Sequence, residues 1–209
     1  KSFINSYLLV HKLGLKAKKN TTFVTDMGTA LISGFQILEP RYGQKLFTSQ
    51  GLGEMGYGLP GAIGAWFASK NRTIICLNCD GGLMMNLQDL QTVSHHNIPL
   101  KIIIFNNDGY LMIKHTQDAI VSGRRSGTDK NSGISCPDYK KIAESFGFNY
   151  LSLSEESKIE HSLEIFIEEE KAIILEVFMP PNQLLVPKLA VSISPEGEII
   201  SPPLEDLKP

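Results

Sequence analysis

The octapeptide CDGGLMMN at 79–86 and the stretch NIPLKIIIFNNDGYLM at 97–112 decide how this chain folds. Each places polar residues at the end of an apolar run: Asp80 ends one expected strand, and the amide pair Asn106-Asn107 ends the next. Asp80 and Asn107 stand 27 positions apart, room for one turn, one crossover helix and one strand. Parallel strands joined by a crossover end on the same edge of their sheet, so side chains at those ends converge on one ion or ligand.

The chain has 209 residues, 42% of them hydrophobic and 20% charged, enough for one well-buried core. A net charge of −2, scattered rather than in blocks, gives no basic field for nucleic acid. The longest apolar runs, such as 102–105 and 173–175, fall far short of the roughly 20 residues of a membrane helix, and no signal peptide opens the chain. The expectation is a cytoplasmic protein with no membrane contact. Because it begins at Lys1 on a segment already resembling a helix, a fragment or separated domain is also expected. Cys76-x-x-Cys79 has the spacing of a redox or zinc pair, but it lies in and just after an apolar strand, where such positions face opposite sides. Buried thiols are the expected reading, and no second pair completes a zinc site.

Outward from the central stretch, strand and helix alternate. Ser2 to Leu15 carries apolar residues at Phe3, Ile4, Tyr7, Leu8, Val10 and Leu13, an amphipathic helix stopped at Gly14. A strand over 21–25 ends at Asp26-Met27-Gly28 and is followed by a helix over 29–38. A short strand at 45–49 leads into the glycine-rich run 50–61 and an Ala/Gly-rich helix through Ser69. Strands over 72–78 and 99–105 flank a helix from about Met84 to His95, and the second, the most apolar of the chain, is expected at the sheet centre. His95 and His96 point about 100° apart on a helix, too far for one metal, and read as a solvated helix end. Residues 118–135, with three glycines and Arg124-Arg125, form either a lid or a plain connection. Asp138 caps a helix ending at Gly147; a strand at 150–153, a helix at 155–170 and a strand at 172–178 follow. From Met179 onward seven prolines make residues 180–209 an extended tail lying over a neighbour, and 1–179 the globular domain. This alternation specifies an α/β fold, a doubly wound, mostly parallel sheet with helices on both faces, whose ligands sit at the carboxyl ends of the strands.

Two glycine-bearing edges invite chemistry. Gly51, Gly53 and Gly56 fit GxGxxG, which fits a nucleotide (NAD or FAD) site of an oxidoreductase, a tight helix-packing turn, or a backbone surface against another phosphate-bearing cofactor. The Asp80 carboxylate, the Asn107 amide oxygen and a backbone carbonyl from the Asp108-Gly109 turn form the all-oxygen set that Mg²⁺ prefers when substrate phosphates and water complete its octahedron. Gly81-Gly82 at the next helix start lets a phosphate approach. Taken singly, Asp80 reads as a helix cap and Asn107 as a turn former; their matching positions favour metal plus diphosphate.

CDGG followed by NNDG resembles the thiamine diphosphate signature, usually written GDG with a downstream NN, of the diphosphate-binding (PP) domain of thiamine-dependent enzymes. TDMG at 25–28, TSQGLGEMGYGLPGAIGA at 48–65 and PNQLLVPK at 181–188 extend the likeness over most of the chain, which is most similar to the carboxy-terminal domain of acetolactate synthase-like enzymes. That resemblance implies thiamine diphosphate and Mg²⁺ as cofactors, and a 2-keto acid decarboxylase or carboligase as the enzyme. Asp80, Asn107 and the carbonyl of Gly109 then match the metal ligands. Gly28, Thr29, Gly81 and Gly82 match positions around the diphosphate, with Asn107, Gly109 and Tyr110 beside them. Gly53 matches the acceptor for the pyrimidine amino group, Glu54 adjoins it, and Met55 matches the bulky side chain that props the cofactor in its V-shape. Met112 and Ile113 fall where the substrate pocket begins.

The glutamate that activates the pyrimidine belongs to the family's amino-terminal (PYR) domain, and nothing here resembles it. No catalytic residue is therefore assigned, and the resemblance implies half a cofactor site completed by the PYR domain of a partner subunit in a homodimer or homotetramer. The PYR and middle domains are absent from this sequence, and any FAD would sit in the missing middle one. Two departures stand out. Cys79 replaces the first glycine of GDG, which makes a non-catalytic relative that has lost the cofactor an alternative; and Thr116 stands where acetolactate synthases carry tryptophan, which favours a relative with another acceptor.

Overall fold

A computed structural model describes residues 2–189, 191–203, 205 and 207. In chain order its elements are α1 (Ser6–Lys16), β1 (Thr21–Thr25), α2 (Thr29–Ile37), β2 (Lys45–Phe47), α3 (Gly58–Ala68), β3 (Thr73–Cys79), α4 (Asp80–Leu83), α5 (Leu90–His95), β4 (Lys101–Asn106) and α6 (Leu111–Ile120). Then come α7 (Tyr139–Ser145), β5 (Asn149–Leu153), α8 (Ile159–Glu168), β6 (Ile173–Phe178) and an antiparallel pair, β7 (Ser192–Ile193) with β8 (Ile199–Ile200). Strands β1 to β6 form one parallel sheet in the order β2-β1-β3-β4-β6-β5. The apolar run 102–105 thus lies in one of the two central strands, as its composition demands.

Side-chain alternation on these strands builds two cores. Ile75, Leu77, Ile103 and Phe105 point to the face covered by α1, α2 and α8; Ile74, Cys76, Ile102 and Ile104 point to the face covered by α3, α5 and α7. This is the expected three-layer α/β/α arrangement. Cys76 and Cys79 fall in opposite cores as free thiols, and burial pushes both well above the usual thiol range. Among the described residues no three His, Cys, Asp or Glu side chains group to hold a metal, and no helix is long and apolar enough to cross a membrane. His95 and His96 are both exposed, their rings edge to face at 4.8 Å.

Several elements differ from the sequence pattern, each for a local reason. The amphipathic helix starts only at Ser6 because the Asn5 side chain caps it, accepting the Tyr7 N–H at 2.9 Å. The helix expected from Met84 to His95 is reduced to a 3₁₀ turn over Leu87–Asp89 and α5, while the short α4 precedes it. Asn86 interrupts it, with φ −149° and its side-chain amide turned to the Gly56 carbonyl at 2.5 Å. Part of 118–135 is the end of a helix, α6, whose start has no side-chain cap and which buries only Leu111 and Lys114. The C-terminal stretch is not simply extended. Gln183 is buried against α1, accepting the Ser6 N–H at 3.0 Å and donating to Ser6 Oγ at 2.8 Å, and β7-β8 follows. Positions 190, 204, 206, 208 and 209 of that stretch lie outside the described residues.

Candidate functional site

Register fixes the starting geometry. β3 and β4 are hydrogen-bonded neighbours with Cys79 opposite Phe105, so Asp80 and Asn107 leave the sheet side by side on its carboxyl edge. Asp80 is fully buried and is not the helix cap: it is the first residue of α4 and bridges two strand ends. Its Oδ1 accepts the Gly81 N–H at 2.9 Å; its Oδ2 accepts the N–H groups of Asn107 at 2.9 Å and Gly109 at 3.0 Å. Burial still dominates and pushes the carboxyl up to about 6, opposed by the amides of Gly109, Gly81 and Asn107. Tyr139, fully buried, donates its hydroxyl to the Asp80 carbonyl from the opposite side.

Asn107 is buried too, and its Oδ1 accepts no hydrogen bond from the described residues. A buried amide oxygen without a donor is unfavourable by about 1–3 kcal/mol. With the Asp80 carboxylate, which accepts the N–H groups of Asn107 and Gly109, and the carbonyl of Gly109, the oxygens available at this edge are the mixed type that suits Mg²⁺. The turn carrying these groups is backbone-strained. Asp108 has φ +59° and Gly109 φ +134°, and a Cβ at 109 would lie 2.0 Å from the Thr128 carbonyl. That carbonyl accepts the Tyr110 N–H at 2.9 Å. Residues 126–132 therefore pack onto the turn, ordered by the Asp129–Ser132 capping box. Arg125 is committed to Asp118 at 2.8 Å and to the Lys114 carbonyl at 2.8 Å, while Arg124 is exposed.

Beside this edge lies a cleft of about 210 Å³. Gly28, Thr29, Gly53, Met55, Gly82, Asn107, Gly109, Tyr110, Met112 and Ile113 all line it. Ten of the residues singled out by sequence thus meet in one concavity. Three do not line it. Asp80 lies beneath; Gly81 sits under the Tyr110 ring, where a Cβ would come within 2.0 Å; Glu54 is exposed. The Gly81 amide is already bonded to Asp80, so Gly82 is the glycine of the pair that faces the cleft. Met27, Leu111 and Cys79, the residue that departs from the GDG pattern, complete the lining.

Asp26 was the least visible contributor. Fully buried at the end of β1, it accepts the N–H groups of Gly56 at 2.8 Å and Gly58 at 3.4 Å with Oδ1. Burial raises its carboxyl despite the Met27, Gly56 and Gly58 amides, and its Oδ2, with no donor among the described residues, sits where a Gly82 Cβ would be, 2.1 Å away. The glycine run is therefore a clamp for Asp26. It follows the edge strand β2, and the amides a pyrophosphate would need are occupied, which is not the dinucleotide arrangement. Cys79 imposes no backbone strain: its φ of −113° suits any residue. Its thiol accepts the Ala30 N–H and donates to the Met27 carbonyl, both at 3.4 Å, tying the turn after β1 to the end of β3.

Residues 26–177 match the model of the thiamine pyrophosphate enzyme C-terminal TPP binding domain. The chain belongs to this family. It is 33% identical over 175 residues to the acetolactate synthase large subunit of Pyropia yezoensis, covering 84% of this chain and 29% of that protein. Against acetolactate synthase isozyme 2 large subunit of Escherichia coli K12 the identity is 31% over 170 residues, 81% of this chain and 30% of the relative. The large subunit from Buchnera aphidicola of Schlechtendalia chinensis is 37% identical over 160 residues, 74% and 26%. The chain thus spans less than a third of the length of these relatives. As a TPP-binding C-terminal domain of the acetolactate synthase-like family, it sets Asp80 and Asn107 at adjacent strand ends, with Asn107 lining the cleft.

Proposed function

We propose that this domain holds the diphosphate end and the Mg²⁺ of thiamine diphosphate in a 2-keto acid decarboxylase or carboligase resembling acetolactate synthase. One observation carries the reading: the buried Asp80 carboxylate accepts the N–H of Asn107, and Asn107, which lines the glycine-rich cleft, has a buried Oδ1 with no donor among the described residues. Asp80, Asn107 Oδ1 and the Gly109 carbonyl hold the cation. Gly28, Thr29 and Gly82 leave the backbone open to the phosphates, since none carries bulk that would exclude them. Gly53 offers its carbonyl, and Met55, 38% exposed on the cleft wall, supports the bend of the cofactor. Met112 and Ile113 line the side on which the keto acid enters.

When bound, thiamine diphosphate supplies the electron sink for decarboxylation; the protein supplies orientation and electrostatics. The buried edge excludes water from the cation, and the fixed amides around Asp80 keep its carboxylate aimed without reorganisation. Asp26 keeps the 53–55 segment at the cleft wall through Gly56 and Gly58. A PYR domain of a partner subunit, in a dimer or tetramer, supplies the activating glutamate that this domain lacks.

Calorimetry on the full-length protein tests the reading. Thiamine diphosphate is expected to bind with Mg²⁺ and not with EDTA, and Asn107→Ala to weaken that binding at least tenfold. Binding that ignores Mg²⁺, or nicotinamide dinucleotide binding in its place, would overturn it.

A further inference from the structure

Glu176 is the one carboxyl on the most buried part of β6, in the run Ile173-Ile174-Leu175-Glu176-Val177, and it is only 4% exposed. A carboxyl placed there is retained against a large desolvation penalty, so its partners matter. Both of its oxygens accept side-chain hydrogen bonds: Oε1 from Asn106 Nδ2 at 2.5 Å and Oε2 from the Tyr150 hydroxyl at 2.5 Å. Asn106 in turn accepts the Asp108 N–H on its Oδ1 at 3.0 Å, and its backbone carbonyl accepts the Met179 N–H at 2.9 Å. The chain of contacts therefore runs from the middle of β6, through the last residue of β4, into the turn that presents Asn107 and Gly109.

That turn needs holding. Asp108 is a non-glycine residue at φ +59°, a conformation held by its surroundings, and Gly109 follows at φ +134°, open to glycine alone. The Asn106 side chain closes the turn on one flank, as the Thr128 carbonyl does on the other. Left alone, Asn106 Oδ1 and Nδ2 are interchangeable by a rotation of the amide. The acceptor-only Glu176 carboxyl removes that freedom, since it faces the NH₂ end and leaves the oxygen for Asp108. We infer that Glu176 is a positioning residue for the cation: acting through Asn106, and itself steadied by Tyr150, it fixes the turn in the geometry that offers Asn107 Oδ1 and the Gly109 carbonyl together. It touches neither cation nor cofactor.

The inference rests on the cofactor reading above, and its test keeps the two apart. In the full-length protein, thiamine diphosphate binding is titrated by calorimetry at increasing Mg²⁺, with thermal stability measured in parallel without ligand. Asn106 ends its strand and is half-buried, so Asn106→Ala keeps the fold; it is expected to raise the Mg²⁺ needed for half-saturation roughly tenfold or more, the usual effect of removing an outer support of a metal ligand. Glu176→Leu is expected to do the same, while Glu176→Gln, which can still accept from Asn106, stays within about threefold of wild type. In the Asn106→Ala background, Glu176→Leu should add less than about twofold, because the route is already cut. Should Glu176→Leu not fold, Asn106→Ala and Glu176→Gln decide alone. Variants that lower stability without moving the Mg²⁺ requirement, or a double variant whose effects multiply in full, would overturn the positioning role. A wild-type protein that shows no Mg²⁺-dependent binding would instead overturn the cofactor reading, and this inference with it.

Discussion

Replacing Asp80 by asparagine separates what its carboxyl does for the fold from what it does for a cation. Without metal, the rise from 3.8 to about 6 means that the ionised form is disfavoured in the folded state by about 3 kcal/mol. Asparagine removes that penalty, but its NH₂ must face either the Gly81 amide or those of Asn107 and Gly109, and a buried N–H left unpaired costs about 1–3 kcal/mol. The two terms nearly cancel, so Asp80→Asn should change stability at pH 7 in EDTA by less than about 2 kcal/mol. The pH dependence then tells them apart. A carboxyl whose folded value is raised contributes stability that is fully present below its unfolded value and is lost as pH rises through the folded one. The wild type should therefore gain on the variant by about 2 kcal/mol as pH falls from 6 to 4, while Asp26, common to both, drops out of the difference. Urea unfolding at pH 4, 5, 6 and 7 measures this. With Mg²⁺ and thiamine diphosphate at pH 7 only the wild type should be stabilised, since the cation favours the ionised carboxylate. Parallel pH profiles in EDTA, or equal stabilisation by the ligands, would refute the placement of Asp80.

Gly82→Ala should cost about 1–3 kcal/mol in urea unfolding, because its Cβ would fall 2.1 Å from Asp26 Oδ2 and 2.9 Å from Asn78 Oδ1; Gly64→Ala, on α3 with nothing within 4 Å, should instead gain about 0.5–1 kcal/mol. Cys79→Gly should lower the melting temperature by loss of its buried contacts and leave cofactor affinity no better; a clear gain in affinity would show that the thiol obstructs the cleft. Lys101, 4% exposed, is pushed down to about 8 by burial, so the unfolded chain holds the extra proton between pH 8 and 10.5 and stability rises with pH across that window. Lys101→Met should lack this rise, so the wild type must gain on the variant between pH 8 and 10, and a constant difference would contradict it.

What the sequence shows and what it hides follow from how each signal is encoded. β1 is placed to the residue at Thr21–Thr25, because β-branched and aromatic residues end sharply at Asp26-Met27-Gly28. The pairing of Asp80 with Asn107 is legible because parallel topology alone brings successive strand ends together. α6 is not, since Tyr110 offers no side-chain cap and the buried stripe comprises one leucine and one lysine stem. The break at Asn86 depends on the Gly56 carbonyl, thirty positions away, a contact no local pattern carries. Glu176 left a trace that could have been read: a lone acid inside the apolar run 173–177 is out of place in a doubly buried strand unless it has partners.

The same logic explains why the cleft edge is locally unfavourable. Asp26 and Asp80 are buried carboxyls shifted upward, Asn107 Oδ1, Thr29 Oγ1, Asn78 Nδ2 and Asp26 Oδ2 lack partners among the described residues, and Asp108 holds a left-handed backbone. Each feature weakens the free domain, and together they gather around one glycine, Gly82, and one turn. Conflicts gathered at one edge are expected where a ligand resolves them. A divalent cation would satisfy Asn107 Oδ1 and restore the ionised form of Asp80, so binding and folding are coupled at this edge. The domain should be most stable when its cation site is filled, by an amount that grows with ligand concentration over its dissociation constant.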